Sequence, residues 1–192
     1  MVKATRHRQI PNKKMNENND FLPQDYEAPK GNSSYLKFGT GETRFRILSK
    51  PIVGWEDWKD NKPLRFKMQF KPDAPIDATK PIKHFWAMIV WDVLAGDIKI
   101  LQITQKSIQT SILNLTNDAD WGAPYRYDIK VVKKGEKLTT EYSVTAVPHK
   151  DTPKEILDMA VAKRINLDAL WTGADPFAPN DTPTNIESTL PF

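Results

Sequence analysis

The sequence predicts a mainly β fold, a five-stranded barrel with one helix between its third and fourth strands, and three observations carry that prediction. Apolar and polar residues alternate with period two through most of residues 42–147. The alternation stops once, where Ile108, Ile112 and Leu115 recur at spacings of four and three and make a single apolar stripe. The length of 192 residues suits one core with appendages.

The elements follow in order. Residues 1–34 have almost no apolar periodicity and read as a flexible arm. Thr43, Phe45 and Ile47 share one face of a first strand, with Arg44 and Arg46 on the other. Gly54-Trp55-Glu56-Asp57-Trp58-Lys59-Asp60 reads as a polar connection. Leu64, Phe66, Met68 and Phe70 then alternate with Arg65, Lys67 and Gln69 in a second strand. A more continuously apolar strand runs from Ile82 to about Leu94, turns at Ala95-Gly96-Asp97 and returns as Ile98 to Ile103. Thr104 is placed to cap the helix. Tyr125, Tyr127, Ile129 and Val131 restart the alternation, which continues after a Lys133–Lys137 turn into Leu138 to Val147; Gly135 suits a hairpin. Thr152-Pro153-Lys154-Glu155 has the form of a capping box with proline at the first helical position, so a last helix is expected to about Arg164. Residues 165–192 hold Pro176, Pro179, Pro183 and Pro191 among Asp, Asn, Thr and Ser, and read as an acidic, extended tail. Three strands, a helix and two strands is the layout of an OB-fold over residues 35–164. An open antiparallel sandwich with inserted helices fits the same periodicity.

Composition removes several classes of chemistry. Without cysteine there is no disulfide, thiol nucleophile or cysteine-held metal. The longest strongly apolar stretch, Phe85 to Leu94, is too short to span a bilayer and contains Asp92, so no membrane partner is expected. His7, His84 and His149 have no partner at a helical metal-ligand spacing, and no phosphate-binding glycine loop or nucleophile elbow occurs. Gly39-Thr40-Gly41 reads as a turn. Asp57, Asp92 and Asp128 would pair only if the fold brought them together, which leaves a metal-dependent nuclease as one alternative. No cofactor is implied.

Charge divides by segment. Residues 1–34 carry six Lys/Arg against four Asp/Glu, residues 35–164 carry 22 against 16, and residues 165–192 carry none against four, giving +2, +6 and −4. A basic body attracts a polyanion. Single-stranded nucleic acid needs cations along its phosphates and flat rings under its bases. Arg44, Arg46, Arg65, Lys67, Arg126 and Lys130 on the strands, Lys133, Lys134 and Lys137 in the hairpin, and Trp55 and Trp58 in the polar connection supply both. Tyr125, at a strand entrance, is placed to reach the binding groove of such a barrel. Trp86 and Trp91, inside the apolar strand, read as core. The competing reading is that the outer cations protect sheet edges and the two connection tryptophans close the barrel end.

The chain resembles the single-stranded-DNA-binding proteins of bacteriophages. The resemblance rests on Tyr35-Leu36-Lys37-Phe38, Gly41-Glu42-Thr43-Arg44-Phe45-Arg46-Ile47-Leu48, the Gly54–Trp58 segment, the element order and the terminal Leu190-Pro191-Phe192. It covers roughly residues 31–150 and the tip. It implies a non-enzymatic protein that coats single-stranded DNA in phage replication or recombination, in the cytoplasm of an infected bacterium, with Tyr35 among the nucleic-acid contacts. It also implies that Leu190, Pro191 and Phe192 dock on replication partners such as a polymerase, helicase or primase. Asp175, Asp181 and Glu187 are dispersed, whereas the bacterial relatives carry a dense acidic cluster there. The cysteine-held zinc of some phage relatives is excluded. An RNA-binding OB-fold regulator and a virion structural protein are the remaining alternatives.

Overall fold

A computed structural model describes residues 33–179, in which period-two segments pair across long sequence separations. In chain order the elements are β1 (Tyr35–Leu36), β2 (Gly41–Ile47), β3 (Ile52–Lys59), β4 (Lys62–Lys67), β5 (Lys83–Asp92), β6 (Asp97–Ile103), α1 (Lys106–Asn117), β7 (Asp128–Lys134), β8 (Glu141–Ala146), α2 (Lys154–Lys163) and α3 (Ala169–Thr172). The chain is therefore mainly β, as expected, but with eight strands in one mixed sheet rather than five. The order is β1-β6-β5-β2-β7-β8, with β3 branching from β5 to β4. β1 lies parallel to β6 and the other ladders are antiparallel. Among the described residues no ladder joins β8 to β6 or β1.

β5 reads as continuously apolar because both its faces are buried. On one side Met88 and Val90 join Phe45, Ile47, Leu101, Ile103, Tyr127, Ile129 and Val131, and the apolar stripe of α1, Ile108 and Ile112, seals them. On the other, Phe85, Ala87 and Ile89 join Ile98 and Ile100 beneath Ala160, Ile165 and Leu170 of the C-terminal segment. A fully buried Ile, Leu or Phe contributes about 1.5–3 kcal/mol, so both layers hold β5–β6 in place. Trp86 and Trp91 pack from half-buried positions, one against each layer. Asp92, inside this apolar run, is satisfied: Oδ1 accepts the Leu94 and Ala95 amides of the turn and Oδ2 accepts Lys99 Nζ at 2.8 Å.

The segment read as a polar connection is a strand. β2 and β3 lie end to end along one edge of β5, pairing with Val90–Asp92 and Lys83–Ala87 respectively. Between them Pro51 has no N–H to donate, and the Ser49 hydroxyl accepts the Ile89 amide at 2.9 Å. β3 and β4 make a hairpin around Asp60 and Asn61, both at positive φ (49° and 59°) as a type I′ turn requires. The second strand stops sooner than the alternation does. After Lys67 the chain leaves as a 3-10 turn over Met68–Phe70, and Met68 and Phe70 are exposed rather than inward.

Two expected caps also differ. α1 starts at Lys106 after Gln105, whose side-chain oxygen accepts the Thr104 amide, so Thr104 does not cap it. Pro153 occupies the N-cap position of α2, and the Thr152 hydroxyl accepts from Arg46 instead of closing a box with Glu155. β7 begins at Asp128, after Tyr125 and Tyr127. Gly135, at φ 71°, turns the β7–β8 hairpin where a Cβ would lie 2.2 Å from the Thr139 carbonyl oxygen. Residues 165–179, assigned by composition to the extended tail, are folded: Ile165 and Leu170 are buried, and Trp171 lies over Phe85 at 5.7 Å. Residues 1–32 and 180–192, with Leu190, Pro191 and Phe192, lie outside the described residues. No helix among the described residues is long and apolar enough to cross a membrane.

Candidate nucleic-acid interface

The outer arginines that read as phosphate contacts are largely committed within the protein. Asp128 Oδ2 accepts Arg44 Nε at 2.8 Å and Nη2 at 2.6 Å, and Oδ1 accepts Arg46 Nε. Arg46 is 5% exposed, and its Nη1 also donates to the Lys150 carbonyl and Thr152 Oγ1. It points away from the inner core, as the alternation requires, but the chain after β8 covers it. Arg65 is enclosed as well. It faces Glu56 at 3.4 Å, donates to Gln102 Oε1 at 2.8 Å and lies 5.7 Å from the Phe85 ring centroid. Its Nε is the only buried side-chain polar atom without a partner among the described residues. Arg46 and Arg65 are thus corrected from groove contacts to interior groups, and Arg44 to a half-exposed one.

The remaining cations are spread over the surface. Lys67 and Arg126 are exposed; Arg126 faces Asp151 at a loose 3.8 Å. Lys130 is opposite Arg44 across β2–β7 and is relieved by Glu42 at 3.4 Å. Lys133 is half-buried, and Lys134 and Lys137 are exposed at the hairpin, beyond the Gly41 end of β2. Trp55 instead pairs with His84, at the end of β5 remote from the β2 ladder. Tyr35 is half-buried with its ring edge against Phe177 at 6.1 Å, and burial pushes its phenol above the usual range.

Trp55 and Trp58 do not form one loop platform. Three residues apart on β3, they point to opposite faces of the ribbon. Trp58 is covered by Lys80, whose Nζ lies 5.7 Å from its ring. The intervening Asp57 is fully buried and accepts the Trp58 and Ile76 amides, which ties the 71–82 connection to β3. Trp55 shares its face with Phe66 and His84. Its indole N–H donates to the Met68 carbonyl at 3.1 Å, its ring meets His84 edge-on at 5.2 Å, and Lys71 Nζ lies over it at 4.7 Å. The ring is therefore oriented before any ligand arrives.

His84 leads from Trp55 into a cleft of about 390 Å³ at the start of α1, lined also by Trp86, Lys83, Lys106 and Leu113. Gln109 forms its floor. The amide nitrogen of Gln109 donates to the Ile103 and His84 carbonyls, so its oxygen faces His84 Nδ1 at 3.3 Å, and that ring nitrogen is the donor. None of the residues lining this cleft is acidic. The sequence reading did not single out Lys83, Lys106 or the pairing of Trp55 with His84. The available signal was parity: once residues 52–59 are read as a strand beside β5, Trp55, His84 and Trp86 fall on one face.

The outer side of β5–β6 is closed. Phe85, Ala87, Ile89, Ile98 and Ile100 on the outer side of β5–β6 lie beneath α2 and α3. Among the described residues no three His, Asp or Glu side chains converge as a metal ion would require. No family model, curated protein or solved structure matches the chain.

Proposed function

We propose that this chain binds single-stranded DNA on an OB-type scaffold, through Trp55 and the neighbouring cleft at the start of α1, which His84 connects. The ladder order β6-β5-β2-β7-β8, with α1 between β6 and β7, supports the OB reading; β3–β4 is then an elaboration of the first inter-strand connection. One observation carries the function. Trp55, His84 and Trp86 lie together on one face, with Lys71, Lys83 and Lys106 beside them and no carboxylate in the lining. Rings provide stacking surfaces that any base can use, and lysines follow the phosphates as point charges. A base that stacks on Trp55 displaces Lys71 from the ring toward a phosphate. Because the Met68 hydrogen bond already fixes the indole, little side-chain entropy is lost on binding. Binding of this kind holds strands open and protects them, since a ligand that binds only the open form shifts the melting equilibrium.

Titrating tryptophan emission with a thymidine homopolymer tests this. Single-stranded DNA is expected to quench the emission, and Trp55→Ala to weaken binding by about 1–3 kcal/mol, the worth of one base stack. Trp58→Ala, on the opposite face, is expected to keep most of the affinity. A folded Trp55→Ala that binds like the parent overturns the assignment.

The lysines give a second test. Each phosphate neutralised on a single strand contributes a slope of about −0.7 in log affinity against log salt concentration. Lys83→Ala and Lys106→Ala are each expected to flatten the measured slope by about that amount, for every base composition. An unchanged slope removes the lysine from the phosphate path.

A further inference from the structure

A second cleft, of about 700 Å³, lies past the other end of α1, between the 120–126 connection and the chain that follows β8. The strand-binding cleft does not use it. Half-buried Trp121 and Tyr125 line it, and Trp121 is held in place. The Trp121 ring meets Tyr127 edge-on at 5.3 Å and lies 5.5 Å from His149 at a tilt of 36°. His149 Nε2 is 3.1 Å from the Trp121 carbonyl oxygen, which only accepts, so Nε2 donates and the ring is fixed beside Trp121. Burial pushes the Tyr125 phenol above its usual range, so it stays a neutral hydroxyl at neutral pH.

The polar rim holds both signs. The Arg126 and Lys150 backbones are joined by a 2.8 Å hydrogen bond, which sets both cations at one edge. Asp120 and Asp151 supply carboxylates. The Arg126–Asp151 pair is 3.8 Å apart with both side chains largely in solvent, so neither group is strongly committed to the other.

We propose that this cleft binds a single nucleotide whose base carries an exocyclic amine, with the phosphate on Arg126. Flat walls suit a base, and the volume falls in the range of small-ligand sites. The Asp120 and Asp151 carboxylates are acceptors, so they pair with the amino groups of adenine, cytosine or guanine. Thymine has no amino group to offer. The proposal takes its ligand class from the strand-binding reading and predicts selectivity that the other cleft lacks.

The test is a titration of the isotope-labelled full chain with deoxycytidine monophosphate and with thymidine monophosphate, following the amide and side-chain signals of Trp121, Tyr125 and Arg126 by NMR. The cytidine nucleotide is expected to shift these signals and to bind about tenfold more tightly than the thymidine one, as loss of one good base-edge pair would give. Asp120→Ala combined with Asp151→Ala is expected to abolish the preference, and Arg126→Ala to weaken both nucleotides. No shift at these signals with either nucleotide overturns the site, and equal responses overturn the amine readout. Thymidine-homopolymer binding at Trp55 is scored separately. Its failure with the cytidine response intact sinks the strand reading alone, and the reverse sinks this one alone.

Discussion

Asp128→Ala is expected to destabilise the fold by about 3–5 kcal/mol, the cost of leaving a buried charge without its partner. Asp128 is 8% exposed, and its carboxylate receives hydrogen bonds from two guanidinium groups, Arg44 and Arg46. Arg44 reaches solvent and can rehydrate. Arg46 cannot: it is enclosed by the covering chain, where the Lys150 carbonyl and Thr152 Oγ1 remain its only acceptors once the carboxylate is gone. The single variant therefore keeps the desolvation of a cation and loses the attraction that offset it. Replacing the pair together, Arg46→Met with Asp128→Leu, removes both charges from the site and is expected to recover most of the loss. Denaturant unfolding of the parent, Arg46→Met, Asp128→Leu and the double variant completes the cycle, with Asp128→Ala measured beside it. A loss for Asp128→Ala no larger than that of a surface substitution, about 0.5 kcal/mol, overturns the account.

That cluster also marks how far the sequence could be read. The continuous apolar run with its Ala95-Gly96-Asp97 turn located β5 and β6, and alternation located β2, β4, β7 and β8. It put Arg44 and Arg46 on the side away from Phe45 and Ile47, and they are there. Whether the outer side is wet depends on residues about a hundred positions away, at 150–152, which no local pattern reports. β3 was missed for a related reason. Glu56 and Asp57 look like loop residues, yet both are buried: Gln102 and Arg65 satisfy the first, and the Trp58 and Ile76 amides the second. A carboxylate with its partners in place fits a buried strand, and those partners lie up to 46 positions away. Composition misread residues 165–179 in the opposite sense. Prolines and acids dominated the count, while Ile165, Leu170 and Trp171 supplied enough apolar surface to cover the outer side of β5–β6. The same covering closes the outer side of β5–β6, so the cleft beside Trp55 is the candidate.

Gly54→Ala is expected to cost about 3 kcal/mol in stability, at the upper end for overpacking, and to weaken single-stranded DNA binding although residue 54 touches no proposed ligand. A Cβ at Gly54 would lie 2.2 Å from the Phe66 carbonyl oxygen and 2.9 Å from two ring carbons of Trp171. Neither neighbour yields easily. The Phe66 oxygen belongs to the backbone of β4, paired with β3 by the ladder from Gly54↔Lys67 to Lys59↔Lys62. The Trp171 indole is seated on Phe85 in the layer that α3 closes. Relief requires β3 to part from β4 and Trp171 to shift, which moves Trp55 relative to Phe66, its partner in the next residue pair of that ladder, and to the Met68 carbonyl that holds its indole. Binding should then fall by about the worth of the lost stack, 1–3 kcal/mol, in the fraction that stays folded. Gly39→Ala is the control, because a Cβ there meets nothing within 4 Å and its backbone is not in the left-handed region. That change is expected to be neutral or slightly stabilising. Denaturant midpoints and homopolymer titrations of the two variants decide the matter. A Gly54→Ala protein as stable as Gly39→Ala removes the close approach as a constraint, and one that loses stability while keeping full affinity separates the ribbon's seat from the binding cleft.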